Sequence, residues 1–173
     1  MKTQVFQQLF VGTFLLFSVF AAAPTKGQVQ TKTPIAFSIK KGFLTVKGEF
    51  KKYDYHIDPE TNIQGKAEIA SVYTESEKRD EHLQNKEWFD AKNYPYIEMQ
   101  SVKITKVSQG KYLGTFQIKI KGKIQNKEIP FTIENNRFRM DFELSRKPFG
   151  VGGGFFGAIV GDNVKISLNL PIK

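Results

Sequence analysis

The sequence predicts an all-β fold: an antiparallel β-barrel of about eight strands, with one short helix at about residues 75–84 closing one end. Three observations carry this reading. Apolar and polar residues alternate with period two along most of the chain beyond residue 34, turn signals separate the alternating runs, and one stretch, Thr74–Phe89, breaks the alternation with helix formers.

Taken in order, Ile35, Phe37 and Ile39 share one face of the first run. Val46, Gly48 and Phe50 form a second, with Tyr53, Tyr55 and Ile57 following. Ile63, Gly65, Ala67 and Ile69 alternate with Gln64, Lys66 and Glu68. Between Ile97/Met99 and Val102/Ile104 the apolar parity flips, which predicts a bulge or break near Gln100-Ser101. Phe116, Ile118 and Ile120 then alternate with Gln117, Lys119 and Lys121, and Ile129, Phe131 and Ile133 with Thr132 and Glu134. Arg137–Leu144 alternates without a fault, setting Phe138, Met140 and Phe142 on one side, and Val164, Ile166, Leu168 and Leu170 close the chain. Turns are expected at Lys41-Gly42, Asp58–Asn62, Gln109-Gly110, Gln125-Asn126 and Asn135-Asn136.

Thr74-Glu75-Ser76-Glu77 has the spacing of a capping box, with Thr74 as cap and Glu77 reaching back, and Lys78–Gln84 continues as helix. Asn85 restarts a short turn carrying Trp88 and Phe89, and Tyr94-Pro95 forces extended backbone into the next strand.

An apolar and a charged side on every strand describe an antiparallel sheet with one wet face. Closing it into a barrel removes both edges, although a two-sheet sandwich satisfies the same alternation. Lysines 103, 106, 119, 121, 123 and 127 then fall mostly outside. Nucleic-acid binding would need basic residues interleaved with exposed aromatics, and here the aromatics take the opposite parity, so no nucleic-acid partner is expected.

Composition narrows the chemistry. The 173 residues contain no cysteine and two histidines, His56 and His82, which excludes thiol nucleophiles, disulfides, Cys-ligated metals and a tri-histidine site. No cofactor or metal is expected. Residues Val5–Ala23 carry no charge, Lys2 precedes them and Ala21-Ala22-Ala23 close them, the pattern of a secretory signal peptide. The continuous apolar run, Leu9–Ala23, is shorter than the ~20 residues of a spanning helix. Cleavage is expected after Gly27, dividing the chain into a signal peptide, 1–27, and a single domain, 28–173, delivered by the general secretory route to the periplasm or the exterior.

The stretch Thr74-…-Arg79-Asp80-Glu81-His82-Leu83-…-Trp88-Phe89-Asp90-…-Tyr94-Pro95-Tyr96-Ile97 resembles the signature of the YceI-like family. Phe37–Lys40 with Val46–Phe50 is similar to that family's first hairpin, Leu113–Ile118 with Gly122 to its central hairpin, and Leu144–Gly150 with Val160–Val164 to its closing segment. Lys41 departs from the pattern, since many members carry histidine there. The resemblance implies a lipocalin-like barrel, exported in many members, that binds an isoprenoid or other long-chain lipid inside.

Packing a core and lining a lipid tunnel require the same residue types. The resemblance, with Gly65 and Ala67 leaving room, favours a cavity. The expected lining is Phe37, Ile39, Phe50, Ala67, Ile69, Phe116, Ile118, Phe138, Met140, Phe142, Ile166 and Leu168. The partner expected is a long-chain apolar lipid or isoprenoid held without catalysis, with membrane contact transient at most. Two alternatives stay open: an envelope enzyme using Arg79, Asp80 and His82 on a barrel-bound lipid, and an interaction module with a filled barrel. Gly150–Gly161 holds six glycines but leads into a strand, which excludes a phosphate loop. It reads as a plain connection or as an apolar lip in which Phe149, Phe155, Phe156 and Ile159 line the barrel mouth.

Overall fold

Alternation sends every second side chain of a strand to the same face. In the computed structural model, which describes residues 33–153 and 157–172, the strands use it to build one curled antiparallel sheet. The expected signal segment, the start of the mature chain up to residue 32, and Phe155 and Phe156 lie outside the described residues. Among the described residues ten strands occur, two more than expected: β1 (Ile35–Lys41), β2 (Leu44–Phe50), β3 (Tyr53–Asp58), β4 (Asn62–Glu68), β5 (Val72–Tyr73), β6 (Tyr96–Ser108), β7 (Lys111–Ile120), β8 (Lys123–Glu134), β9 (Arg137–Ser145) and β10 (Val160–Pro171). Helix α1 (Glu77–Gln84) lies between β5 and β6. The order across the sheet is β3-β4-β6-β7-β8-β9-β10-β1-β2-β5, every neighbouring pair antiparallel. One continuous sheet, not a sandwich, answers the alternation.

The two ends of that order meet at a corner. β2 passes into β3 through Lys51-Lys52, and β4 passes into β5 through a 3-10 turn, Ile69–Ser71. Lys51 N–H donates to Ser71 O at 3.2 Å and Glu68 N–H to Lys52 O at 3.0 Å, so the sheet is stitched to itself there. This corner explains the extra strands. Phe50 and Tyr53 stand three residues apart, so parity flips between them, but no turn residue marks the break.

The turns follow local chemistry. Gly42 at φ +57° opens the two-residue β1–β2 turn, and Asn135-Asn136, both left-handed, form the β8–β9 turn. The turn expected at Gln125-Asn126 is instead Lys121-Gly122, at φ +51° and +74°. Gln125 and Asn126 pair with Ile118 and Gln117 inside β8. Gly122 supplies the positive φ cheaply, and so wins the turn. The parity flip in β6 is a bulge between Ser101 and Lys103, leaving Val102 exposed. Ser101 Oγ accepts the Ile63 N–H at 2.9 Å, tying β6 to the start of β4.

The capping box is not formed. The cap position is Ser76, with no side-chain cap bond, and Glu75 sits at φ +62° between it and Thr74. Asp80 takes over: its carboxylate accepts both the N–H and the hydroxyl of the buried Thr74, while the Arg79 guanidinium donates to Thr74 Oγ1 and O. Asp80→Ala orphans two buried Thr74 donors, so a loss of about 1–3 kcal/mol for each donor left dry is expected. Urea unfolding with an unchanged slope checks it.

Candidate ligand-binding cavity

The interior of the curl is filled on one side and hollow on the other. Across β7, β8 and β9, Tyr112 stacks on Phe131 with ring centroids 5.1 Å apart, and Phe131 meets Phe138 at 5.2 Å and Phe116 at 5.9 Å. Gly114 makes this possible, because a Cβ there would stand 2.4 Å from the Phe116 ring. On the side of β1, β3 and β4 a cavity of about 130 Å³ remains.

Of the expected lining residues, Phe37, Phe50, Ala67 and Ile118 border the cavity, as do Phe138, Phe142, Ile166 and Leu168. The other four do not. Phe116 and Met140 are buried in the filled side. Ile69 is buried in the 3-10 turn, because β4 ends at Glu68. Ile39 lies at the outer half of the β1–β2 hairpin, opposite Val46. The structure adds Ile35, Tyr55, Ile57, Ile63, Met99 and Leu170 to the wall. Register was the missing signal: Gly65 stands between Tyr55 and Met99, and Ala67 between Tyr53 and Ile97. The two small residues of β4 therefore face each other's free volume. A Cβ on Gly65 would meet nothing nearer than 3.4 Å.

Asp54, Tyr55 and Ile57 of β3 form one border of the cavity. Beyond β4, that strand has no strand partner among the described residues, and the Tyr55 hydroxyl crosses the gap to donate to Pro171 O at 2.9 Å. Outside this edge a groove of about 190 Å³ runs between Tyr53–Ile57 and Ile172. Tyr53 stacks on Tyr55 at 6.1 Å, and burial, then the neighbouring Tyr55, push its phenol above the ordinary tyrosine range. It stays neutral at physiological pH.

The opposite end is sealed. Trp88, Phe149 and Val151 are buried in the core, Leu83 of α1 packs against it, and Gly152 N–H donates to Glu87 O at 2.9 Å. Phe149 is therefore core and not lip, and Ile159 stands exposed. Beneath this seal lies Arg146, 5% exposed. Its guanidinium donates to five carbonyls, Val151, Gly152, Gly157, Val160 and Gly161, at 2.7–2.9 Å, and stands 5.7 Å from the centre of the Trp88 ring. That fork fixes the glycine-rich connection.

Asp162 braces the same loop. Partial burial pushes its carboxyl up, but the Lys147 N–H, the Ser145 hydroxyl and the Lys147 and Arg146 charges outweigh this and hold it below the ordinary carboxylate range. A depressed folded value adds stability above the unfolded value, lost as pH falls through the folded one. Asp162→Asn is thus expected to flatten the acid limb of the stability curve below about pH 4, measured by thermal unfolding across pH.

Arg79, Asp80 and His82 line none of this cavity. The first two hold Thr74, and the His82 ring meets Trp88 edge-on at 6.0 Å. The fold and site define a class, a small single-sheet β-container with a wet outer face and an apolar space inside. The family model of the YceI-like domain matches residues 24–172, and the chain belongs to the YceI-like family. No curated protein matches the sequence. Among solved structures, BcnA of Burkholderia cenocepacia is similar at 28% identity and a TM-score of 0.74, over 80% of this chain and 95% of that one. The YceI protein of Campylobacter jejuni is 25% identical, TM-score 0.61, over 74% and 85%. A polyisoprenoid binding domain from Saccharophagus degradans shares the fold at 10% identity, TM-score 0.59, over 78% and 90%.

Proposed function

We propose that this protein is a non-catalytic carrier of a long apolar molecule, isoprenoid or acyl, exported through its N-terminal segment. The apolar cavity beside Gly65 and Ala67 is the observation that carries the reading. At about 130 Å³ it approaches the roughly 150 Å³ void that holds a benzene ring, room for one short branched segment of a chain. Greater length is accommodated toward the Tyr55–Pro171 gap and the groove outside β3. Each CH₂ taken from water contributes about 0.8 kcal/mol, so chain length sets affinity and the head group only orients. Family membership supports the reading, as does a fold shared with a polyisoprenoid binding domain.

Native mass spectrometry of the purified protein, followed by solvent extraction, tests it. A long-chain adduct lost on extraction and restored by adding back the extract is the expected result. A protein that carries no adduct, and gains none from long-chain isoprenoids or fatty acids, overturns it.

A further inference from the structure

The hairpin formed by β1 and β2 is built unlike the rest of the sheet. In its outer half residues 40–45 are all exposed, and among the described residues β2 has a partner on its far side only at Glu49 and Phe50, paired with Tyr73 and Val72. At the tip, in the turn opened by Gly42, Phe43 is exposed at 106% and Leu44 at 71%. Ile159, exposed at 61%, stands beside them, because Gly42 N–H donates to Ile159 O at 3.2 Å. Three large apolar side chains are thus grouped at one end of the fold with nothing from the described residues covering them.

Within the hairpin tip itself, residues 40–47, charge has one sign. Lys40, Lys41 and Lys47 of the same hairpin are exposed. Of the acids nearby, Glu49 stands near the hairpin base, and Asp162, on β10 between the partners of Ile39 and Lys41, accepts the Lys147 N–H at 3.1 Å. An apolar apex collared by lysines matches the profile of an anionic bilayer, where apolar side chains enter the acyl boundary and cations meet the phosphates. A water-facing turn needs no phenylalanine, and a protein partner recognised by charge alone would not need the apolar apex.

We propose that the β1–β2 tip, with Phe43, Leu44 and Ile159 as the apolar apex and Lys40 and Lys41 as the collar, docks this protein reversibly on an anionic phospholipid surface. The tip lies at the opposite end of β2–β3 from the Asp58–Asn62 turn, so docking leaves the β3 edge in water. The proposal stands on the exposed tip alone and does not require that the cavity hold a lipid.

The full chain has no cysteine, so a single one can carry an environment-sensitive dye. Thr45→Cys places it two residues from Phe43 with the apex intact, and Glu60→Cys places it at the far turn as a control. Both chains are mixed with vesicles of phosphatidylcholine alone or with 30% phosphatidylglycerol, some carrying lipid-chain quenchers. The expected result is a blue shift and chain-depth quenching at position 45 on anionic vesicles only, none at position 60. Phe43→Ser in the labelled chain should abolish it, and each of Lys40→Gln and Lys41→Gln should weaken it about fivefold. A water-exposed dye at position 45 on vesicle-bound protein overturns the proposal, since other segments then hold the membrane. So does an equal response on neutral vesicles, an unchanged response in the lysine variants, or no binding. A dye already shielded without vesicles, with self-association in sedimentation that Phe43→Ser removes, assigns the tip to a second copy and also overturns it. Because no arm reads cargo, its failure is separate from failure of the carrier reading.

Discussion

Replacing Arg146 by methionine is expected to cost about 3–5 kcal/mol, a fall in Tm of roughly 10–20 °C. Methionine fills much of the same volume, so the loss isolates the hydrogen bonds. Five carbonyls lose their donor together: Val151, Gly152, Gly157, Val160 and Gly161. Water can reach part of the loop, and two or three carbonyls left dry at about 1.5 kcal/mol each give the stated range. Lysine is not a conservative replacement, because a single ammonium offers three donors and no planar fork. Arg146→Lys is expected to recover less than half of the loss. Thermal unfolding of both variants decides it, and a Tm within about 2 °C of the parent for Arg146→Met would show that the fork is dispensable.

Ala67→Phe is expected to abolish binding of a long apolar ligand while the protein still folds. Ala67 packs with Phe50 and Val72 and borders the cavity, whose volume is about 130 Å³. A benzene-sized group fits a void of roughly that size, so the new ring takes the ligand's place with little strain. Overpacking in a filled interior would instead cost about 1–3 kcal/mol. Two measurements separate these outcomes: the unfolding midpoint, and retention of an extractable chain. Unchanged stability with lost retention is expected. A destabilised variant that retains its ligand would place the binding site elsewhere. Phe116→Leu, in the filled side, is the control that should lower stability and leave retention intact.

Most of the strands were legible because alternation is written residue by residue, as in Arg137–Leu144 and Val164–Leu170. What escaped was set by backbone geometry with no pattern of its own. The corner at Lys51-Lys52 carries no turn residue, only a parity flip between Phe50 and Tyr53, so β2 and β3 read as one run. The β7–β8 turn went to Lys121-Gly122 because a positive φ at glycine outweighs the turn preference of Gln125-Asn126. The cap failed for a similar reason. Spacing offered Thr74 and Glu77, but burial of Thr74 made it a group to be satisfied, and Asp80, one turn farther on, does so. In the cavity, parity identified the inward face but not which stretch of it would be filled. That depends on cross-strand neighbours: small residues Gly65 and Ala67 beside Tyr55 and Ile97 leave space, whereas Gly114 beside Phe131 admits the Phe116 ring.

The pairing of β1 with β10 joins the first strand described to the last, Ile35 to Leu168 and Ile39 to Val164. From β6 to β10 the sheet is a meander of sequence neighbours, whose contacts form with short loops to close. The β1–β2 hairpin has no such local partner except its own two strands and the two residues of β5. Its main anchorage arrives with the final strand, after more than a hundred residues have been made, and non-local pairings of this kind form slowly. A nascent chain therefore holds its N-terminal hairpin open until the C-terminus is released, and a product truncated before Val160 has a meander with no seam to close.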